Sequence, residues 1–382
     1  MQHKKSQVTA ILIISIIIVI AVASILLLTR HQAKKTASQE TMESKEVQLD
    51  IQPIRNFVER CLSLTAKNGL LLLGRQGGKI FESQNGPVPD YNDAQQGLLY
   101  IGYKGSKISY NIAEPRFLSG KYSVEIPAYP WQTFPIDNGV RTFAAKSVFG
   151  SNKLPPLNRT FESKSMQEQL EAYSLGAIGT CLDFSVFEQQ GFTIKAGERK
   201  ISAAINDNDV TFSMNFPMEI GSITEERTEI TDFTYKLPVR LGKLHAFANG
   251  IIENDINNAN FSINGTSGQD SFHIDVVHDA YEKDDIIIIT DKKSTIGNSV
   301  YEYIFARKNR NPALFYIGPS ITLSAPITES LVKKENVGAL DPDEDSLFFS
   351  VGNIEGDKYK ITVSDGKLED YEETSIYLEG SP

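Results

Sequence analysis

The residues best placed to do chemistry are four aspartates. Asp341, Asp343 and Asp345 alternate in the run Asp341-Pro342-Asp343-Glu344-Asp345, and Asp365 follows in Ser364-Asp365-Gly366. Carboxylates at every second position of an extended chain point the same way. Together with Asp365 they would offer the hard oxygen ligands that calcium takes, about six to eight of them at roughly 2.3–2.6 Å. The surroundings sharpen the question. Residues 335–382 hold 13 acids and 3 lysines, a charge of -10 that equals the net charge of the whole chain. Packing such charge without a cation costs stability through self-repulsion. The ordinary expectation is a solvated acidic face in which Asp fixes turns by bonding its own backbone. Calcium coordination is the sharper alternative.

The chain has 2 cysteines, Cys61 in Glu59-Arg60-Cys61-Leu62 and Cys181 in Gly179-Thr180-Cys181-Leu182. That excludes a disulfide-framework mini-protein and the common zinc modules. Cys61 lies within one predicted helix and Cys181 near the end of another. In an oxidising compartment they can bridge, and closing so long a loop stabilises by about 4–5 kcal/mol in the chain-entropy model. Otherwise they are two buried thiols that pack as small apolar groups. No histidine is near either in sequence, so nothing supports a nucleophilic role.

The remaining candidates are weaker. In His273-Ile274-Asp275-Val276-Val277-His278-Asp279, a strand would put His273 and Asp275 on one face and His278 on the other. There is no H-E-x-x-H run to set two ligands one helical turn apart. Ser330-Leu331-Val332-Lys333 has the spacing of Ser/Lys hydrolases, but it falls in predicted β structure and its companion motifs are missing. Tyr129 and Trp131 with their neighbouring prolines would make a sugar platform or, more simply, a packed loop. No acid pair for glycosidase work stands out.

The elements that must position these residues begin with an apolar run. Residues 10–28 read AILIISIIIVIAVASILLL. About 20 helical residues cross the hydrocarbon layer of a bilayer. The run is too long for the apolar part of a cleaved secretory peptide. We therefore expect a cytoplasmic stretch over 1–9, a membrane helix over 10–29 and a polar stalk over 30–50. Three sequons, at Asn158, Asn260 and Asn264, favour an extracytoplasmic remainder. The acidic balance, 48 Asp and Glu against 38 Lys and Arg, argues against nucleic acid as a partner.

Beyond the stalk, periodicity predicts an α+β domain over 51–311 and an all-β tail over 312–382. Helices are expected over 52–73, 165–184 and 240–256, with Gly77-Gly78 stopping the first. Strands are expected over 192–195, 200–205, 210–214, 229–237, 271–277, 285–290 and 301–307. Asn206-Asp207-Asn208-Asp209 reads as a hairpin turn. The tail reads as short strands over 314–317, 320–324, 347–351, 359–363 and 374–378, a small β-sandwich.

Two resemblances add to this. Lys4-Lys5-Ser6-Gln7-Val8-Thr9 ahead of the apolar run resembles an archaeal pilin-type leader, which is cut before a Gln, here between Ser6 and Gln7. The chain departs from that family at Ser6, usually Gly or Ala, and at Ile11, where filament subunits carry Glu; a plain uncut anchor is the other reading. In the tail, the D-x-D-x-D-x-L run of 341–347 and the Y-x-I-x-V-x-D-G run of 359–366 resemble cadherin-like and immunoglobulin-like modules of surface proteins. The pairing of such a leader helix with such a tail is similar to archaeal envelope proteins. These resemblances imply a membrane-tethered surface or envelope protein that binds a neighbouring surface protein, with calcium rigidifying the tail. An envelope hydrolase with an accessory β module, or a pilin-like secretion subunit, are the alternative expectations.

Overall fold

The computed structural model describes residues 50–90, 99–114, 136–137, 140–141, 149–161, 164–221, 227–258, 261–266, 271–315, 320–324, 327–335 and 338–379. The expected membrane helix and stalk, apart from Asp50, lie outside the described residues, as do Tyr129 and Trp131. No described helix is long and apolar enough to cross a membrane.

One helix organises the body. α1 (Gln52–Arg75) has Pro at its first turn, where the missing N–H costs nothing. Its buried positions, from Ile54 and Val58 through Leu62 and Ala66 to Leu70 and Leu73, recur every three or four residues. It ends where Gly77 and Gly78 take positive φ, +65° and +81°, a conformation that side chains resist.

β1 (Tyr100–Tyr103), β2 (Ser106–Ala113), the short pair β3 (Ile136–Asp137) and β4 (Val140–Arg141), and β5 (Ser151–Asn152) follow. Then come α2 (Met166–Ile178), α3 (Ser185–Gln189), β6 (Thr193–Ala196), β7 (Lys200–Ile205), β8 (Val210–Gly221), β9 (Arg227–Leu237) and α4 (Leu241–Asn257). β10 (Phe272–Tyr281), β11 (Asp284–Ile296) and β12 (Ser299–Arg307) complete the body. α2 opens with a capping box in which Ser165 and Glu168 satisfy each other's backbone N–H groups. The helix expected over 165–184 ends early, at Ile178, in a turn that carries Cys181; α3 begins only at Ser185.

Two sheets flank α1. One has the order β1-β2-β12-β11-β10, with β5 also on β2. β12 and β2 are its parallel pair. In the other, β8 pairs with β6, β7 and β9, all antiparallel. The turn between β7 and β8 closes with Asn206 N–H on the Asp209 carbonyl at 2.9 Å. α1 packs on β12 of the first sheet, on β9 of the second and on α2. Its approach to β12 is close: a Cβ on Gly74 would lie 2.5 Å from the Glu302 carbonyl oxygen, nearer than any side chain allows. Ile286 to Ile289 show what being central in a sheet requires. Ile287 and Ile289 join the large core around α1, while Ile286 and Ile288 join a smaller cluster with Ile101, Ile108 and Ile304 on the opposite face.

The tail has its own core. β13 (Ala313–Phe315) pairs with β15 (Gly338–Leu340), with α5 (Glu329–Glu335) between them in the chain. β14 (Ser320–Leu323), β16 (Phe348–Glu355), β17 (Lys358–Ser364) and β18 (Glu369–Leu378) form a sheet of order β14-β18-β17-β16. Leu314, Ile321, Leu323, Val332, Ile361, Val363 and Ile376 pack together there. Ser330-Leu331-Val332-Lys333, expected in β structure, lies on α5 instead, because Val332 turns into that core. The chain as a whole is a β-rich α+β fold with a few helices.

Candidate metal centre at the junction

Body and tail meet through charge. β12 runs out into Arg307-Lys308-Asn309-Arg310, and from there the chain enters the tail. Both arginines are fully buried, 1% and 0% exposed. A guanidinium can be buried only if its donors are paired. Arg307 reaches Asp255 of α4 (Nη1–Oδ1 3.1 Å) and Asp285 of β11 (Nη2–Oδ2 2.5 Å). Its Nε lies 3.2 Å from Asp343 Oδ1. Arg310 Nη2 sits 2.9 Å from Asp255 Oδ2 and 2.7 Å from Asp343 Oδ1. The Arg310 backbone N–H donates to Asp343 Oδ2 at 2.6 Å. Burial alone would push the Arg307 pKa down; the carboxylates of Asp343, Asp255 and Asp285 outweigh burial and Arg310, and hold it above its ordinary value.

Asp343, grouped with its neighbours by the sequence pattern, is thus taken up by the arginines. The chain turns sharply just after it: Glu344 has φ +67°, and its N–H donates to the Asp341 carbonyl at 3.2 Å. The alternation expected of an extended chain is broken, and Asp341 and Asp345 are brought to Asp365 without Asp343.

Those three carboxylates converge. One oxygen of each of Asp341, Asp345 and Asp365 lies within 4.8 Å of the others, the only such gathering of potential ligands among the described residues. Two of them are held by backbone N–H groups. Asp341 Oδ1 accepts the N–H groups of Asp343 (2.7 Å) and Asp345 (3.3 Å). Asp365 Oδ1 accepts those of Lys367 and Leu368, both at 2.6 Å. The body contributes Asn309, whose Nδ2 donates to Asp365 Oδ2 at 2.8 Å. It also contributes Lys283, with Nζ 3.5 Å from Asp345 Oδ1.

Three oxygens at this spot are buried without a hydrogen-bond partner: Oδ2 of Asp341, Oδ2 of Asp345 and Oδ1 of Asn309. Orphaned buried acceptors are costly. Asp341 is only 7% exposed. Burial, then repulsion from Asp343, pushes its carboxyl up to about 7. Burial likewise raises Asp345, against the pull of Lys283. A buried acidic cluster of this kind could hold a metal ion: an all-oxygen donor set, pre-turned by backbone hydrogen bonds, with two anionic oxygens and one amide oxygen left over.

The other expected sites fall elsewhere. Cys61 of α1 and Cys181 are joined as a disulfide, Cα to Cα 5.7 Å. Asn158 and Asn264 are exposed, and Asn260 lies outside the described residues. His273 Nε2 is 3.4 Å from Asp275 Oδ1 on the outer surface. His278 Nδ1 is 3.3 Å from Asp285 Oδ2, beside the arginines. Sequence reasoning missed Asp255, Asp285, Arg307, Asn309 and Arg310. The signal that could have found them is the Arg-Lys-Asn-Arg run where a strand gives way to Asn311-Pro312 in an otherwise acidic chain.

No family model matches the chain, and no curated protein or solved structure matches it.

Proposed function

We propose that the chain is a membrane-tethered, non-catalytic surface or envelope protein that binds a neighbouring surface protein. In this reading its tail is a cadherin-like or immunoglobulin-like module, set at a fixed angle on the body by calcium. The observation that carries this is the place of Asp341, Asp345 and Asp365. They gather where tail and body meet, with Asn309 of the body against Asp365 and Lys283 of the body against Asp345. A cation there would draw ligands from both sides and so stiffen the angle between them. Calcium suits the set because it takes only oxygen and tolerates irregular geometry, with water completing the shell. The disulfide supports an extracytoplasmic body, since such bonds persist in oxidising compartments. The residues expected to anchor it are the apolar run of 10–28.

The test is thermal melting of the full chain in detergent, with millimolar calcium and then with chelator. At a hundredfold excess over Kd a ligand of the folded state stabilises by about 2.7 kcal/mol. Calcium should raise the melting temperature, and Asp341→Asn should remove the rise. No shift in the wild-type chain would sink the calcium part of this reading.

A further inference from the structure

A second polar feature lies outside the junction, and its sign is opposite. Gln169 of α2 is 1% exposed. Its Nε2 donates to the Gly78 carbonyl (3.0 Å) and to the Lys164 carbonyl (3.2 Å), while its Oε1 accepts the Ile80 N–H (2.8 Å). One side-chain amide therefore fixes the backbone on both sides of Lys79.

Lys79 lines a pocket of about 290 Å³ together with Lys153 and Lys164. The wall is apolar: Pro89, Leu154, Pro155 and Pro156. No carboxylate is among the residues that line it. In a chain with 48 acids against 38 basic residues, three lysines and no acid among the described lining residues run against the composition. Lys164 Nζ donates to the Pro87 carbonyl. Lys79 has no carboxylate partner among the described residues. Burial, and then the charge of Lys153, lowers its pKa to about 8. An ammonium held in this way is short of negative charge.

We propose that this pocket binds a small organic carboxylate, its anionic head on the Lys79 ammonium and its apolar body against the prolines and Leu154. The size is at the small end of ligand pockets, which run from about 300 Å³ upward. A phosphate fits the wall less well. Phosphate sites draw on several fixed donors such as backbone N–H groups and arginine forks, and prolines have no N–H to give. A carboxylate needs one strong charged contact and an apolar rest, and this pocket has both.

Among the described residues, the charged groups that line the pocket with Lys79 are Lys153 and Lys164, both cationic. A bound anion offsets their repulsion and raises the Lys79 pKa. Binding is therefore strongest below about pH 8 and weakens above it, by up to about tenfold per pH unit.

Calorimetric titration of the full chain in detergent tests this, with benzoate as the probe, benzyl alcohol as its uncharged counterpart and inorganic phosphate as the bare anion. Benzoate should bind at least tenfold more tightly than either, and its affinity should fall as pH rises past about 8. Lys79→Met should weaken it at least tenfold, and Lys79→Arg should keep most of it. Equal binding of benzyl alcohol or of phosphate would overturn the proposal. So would unchanged benzoate affinity in a folded Lys79→Met protein. If that variant does not fold, the wild-type protein decides: an affinity that stays flat between about pH 7 and about pH 10 overturns the proposal.

Discussion

Two clusters of aspartates share the junction, and they are solved differently. Asp255, Asp285 and Asp343 surround Arg307 and Arg310 within hydrogen-bonding distance. Asp341, Asp345 and Asp365 have one lysine within reach and two orphaned carboxylate oxygens. The members alternate in the chain: Asp343 belongs to the first set, and its neighbours two residues away belong to the second. A buried charge with its partner built in is a fixed part of the fold. A buried charge without one invites a partner from solution. The first set ties tail to body, and under the proposed function the second would make the stiffness of that tie depend on a cation.

The largest expected effect comes from breaking the first set. Asp343→Ala leaves two buried guanidiniums short of an anion, and removing one member of a buried ion pair costs about 3–5 kcal/mol. The loss should be the same in calcium and in chelator, read by denaturant unfolding. A loss that appears only with calcium would place Asp343 back among the metal ligands.

An intermediate effect comes from proton binding at the second set. Asp341 has a carboxyl raised from 3.8 to about 7 in the folded chain. The folded state thus binds a proton that the unfolded state has released, and Asp341 costs stability increasingly as pH rises from about 4 to about 7. The slope is at most about 1.4 kcal/mol per unit. In chelator, Asp341→Asn should therefore gain stability relative to wild type across that window and show little difference below it. A difference that is flat with pH would mean that the carboxylates are better screened than their orphaned oxygens imply.

The smallest effect concerns Lys283, the one cation paired with the trio among the described residues. Lys283→Met should strengthen calcium binding a few-fold at low salt, since the trio keeps its charge and loses a competitor. It should cost under about 1 kcal/mol without calcium, as expected of a partly exposed pair. Unchanged affinity would separate Lys283 from the site.

What was legible in the sequence was whatever depends on near neighbours. The alternation of β7 and β8, the Asn206–Asp209 turn and the stripe of α1 come from spacing alone, and so does the placing of Cys61 within α1 and Cys181 just past the end of α2. The two-sidedness of Ile286–Ile289 was legible only as a short apolar run, since both faces of that strand are buried. α5 is too short for a helical stripe to show. The trio of ligands was half legible. Extended-chain geometry puts Asp341, Asp343 and Asp345 on one side, but the backbone turn at Glu344 sends the middle one to the arginines. The arginines stood out only as a basic run; their pairing was illegible because their partners come from α4, β11 and the tail, separated by long stretches of chain.

The bridge between Cys61 and Cys181 has one more consequence. It spans 120 positions, and β1, β2 and β5 lie within that loop. Proteases cut preferentially at exposed loop tips. A cut anywhere inside the loop divides the chain yet releases neither piece: the sulfurs tie α1 to the turn after α2, and β2 stays paired alongside β12. Such a clipped molecule would stay whole under native conditions and come apart on a gel only after a reductant is added.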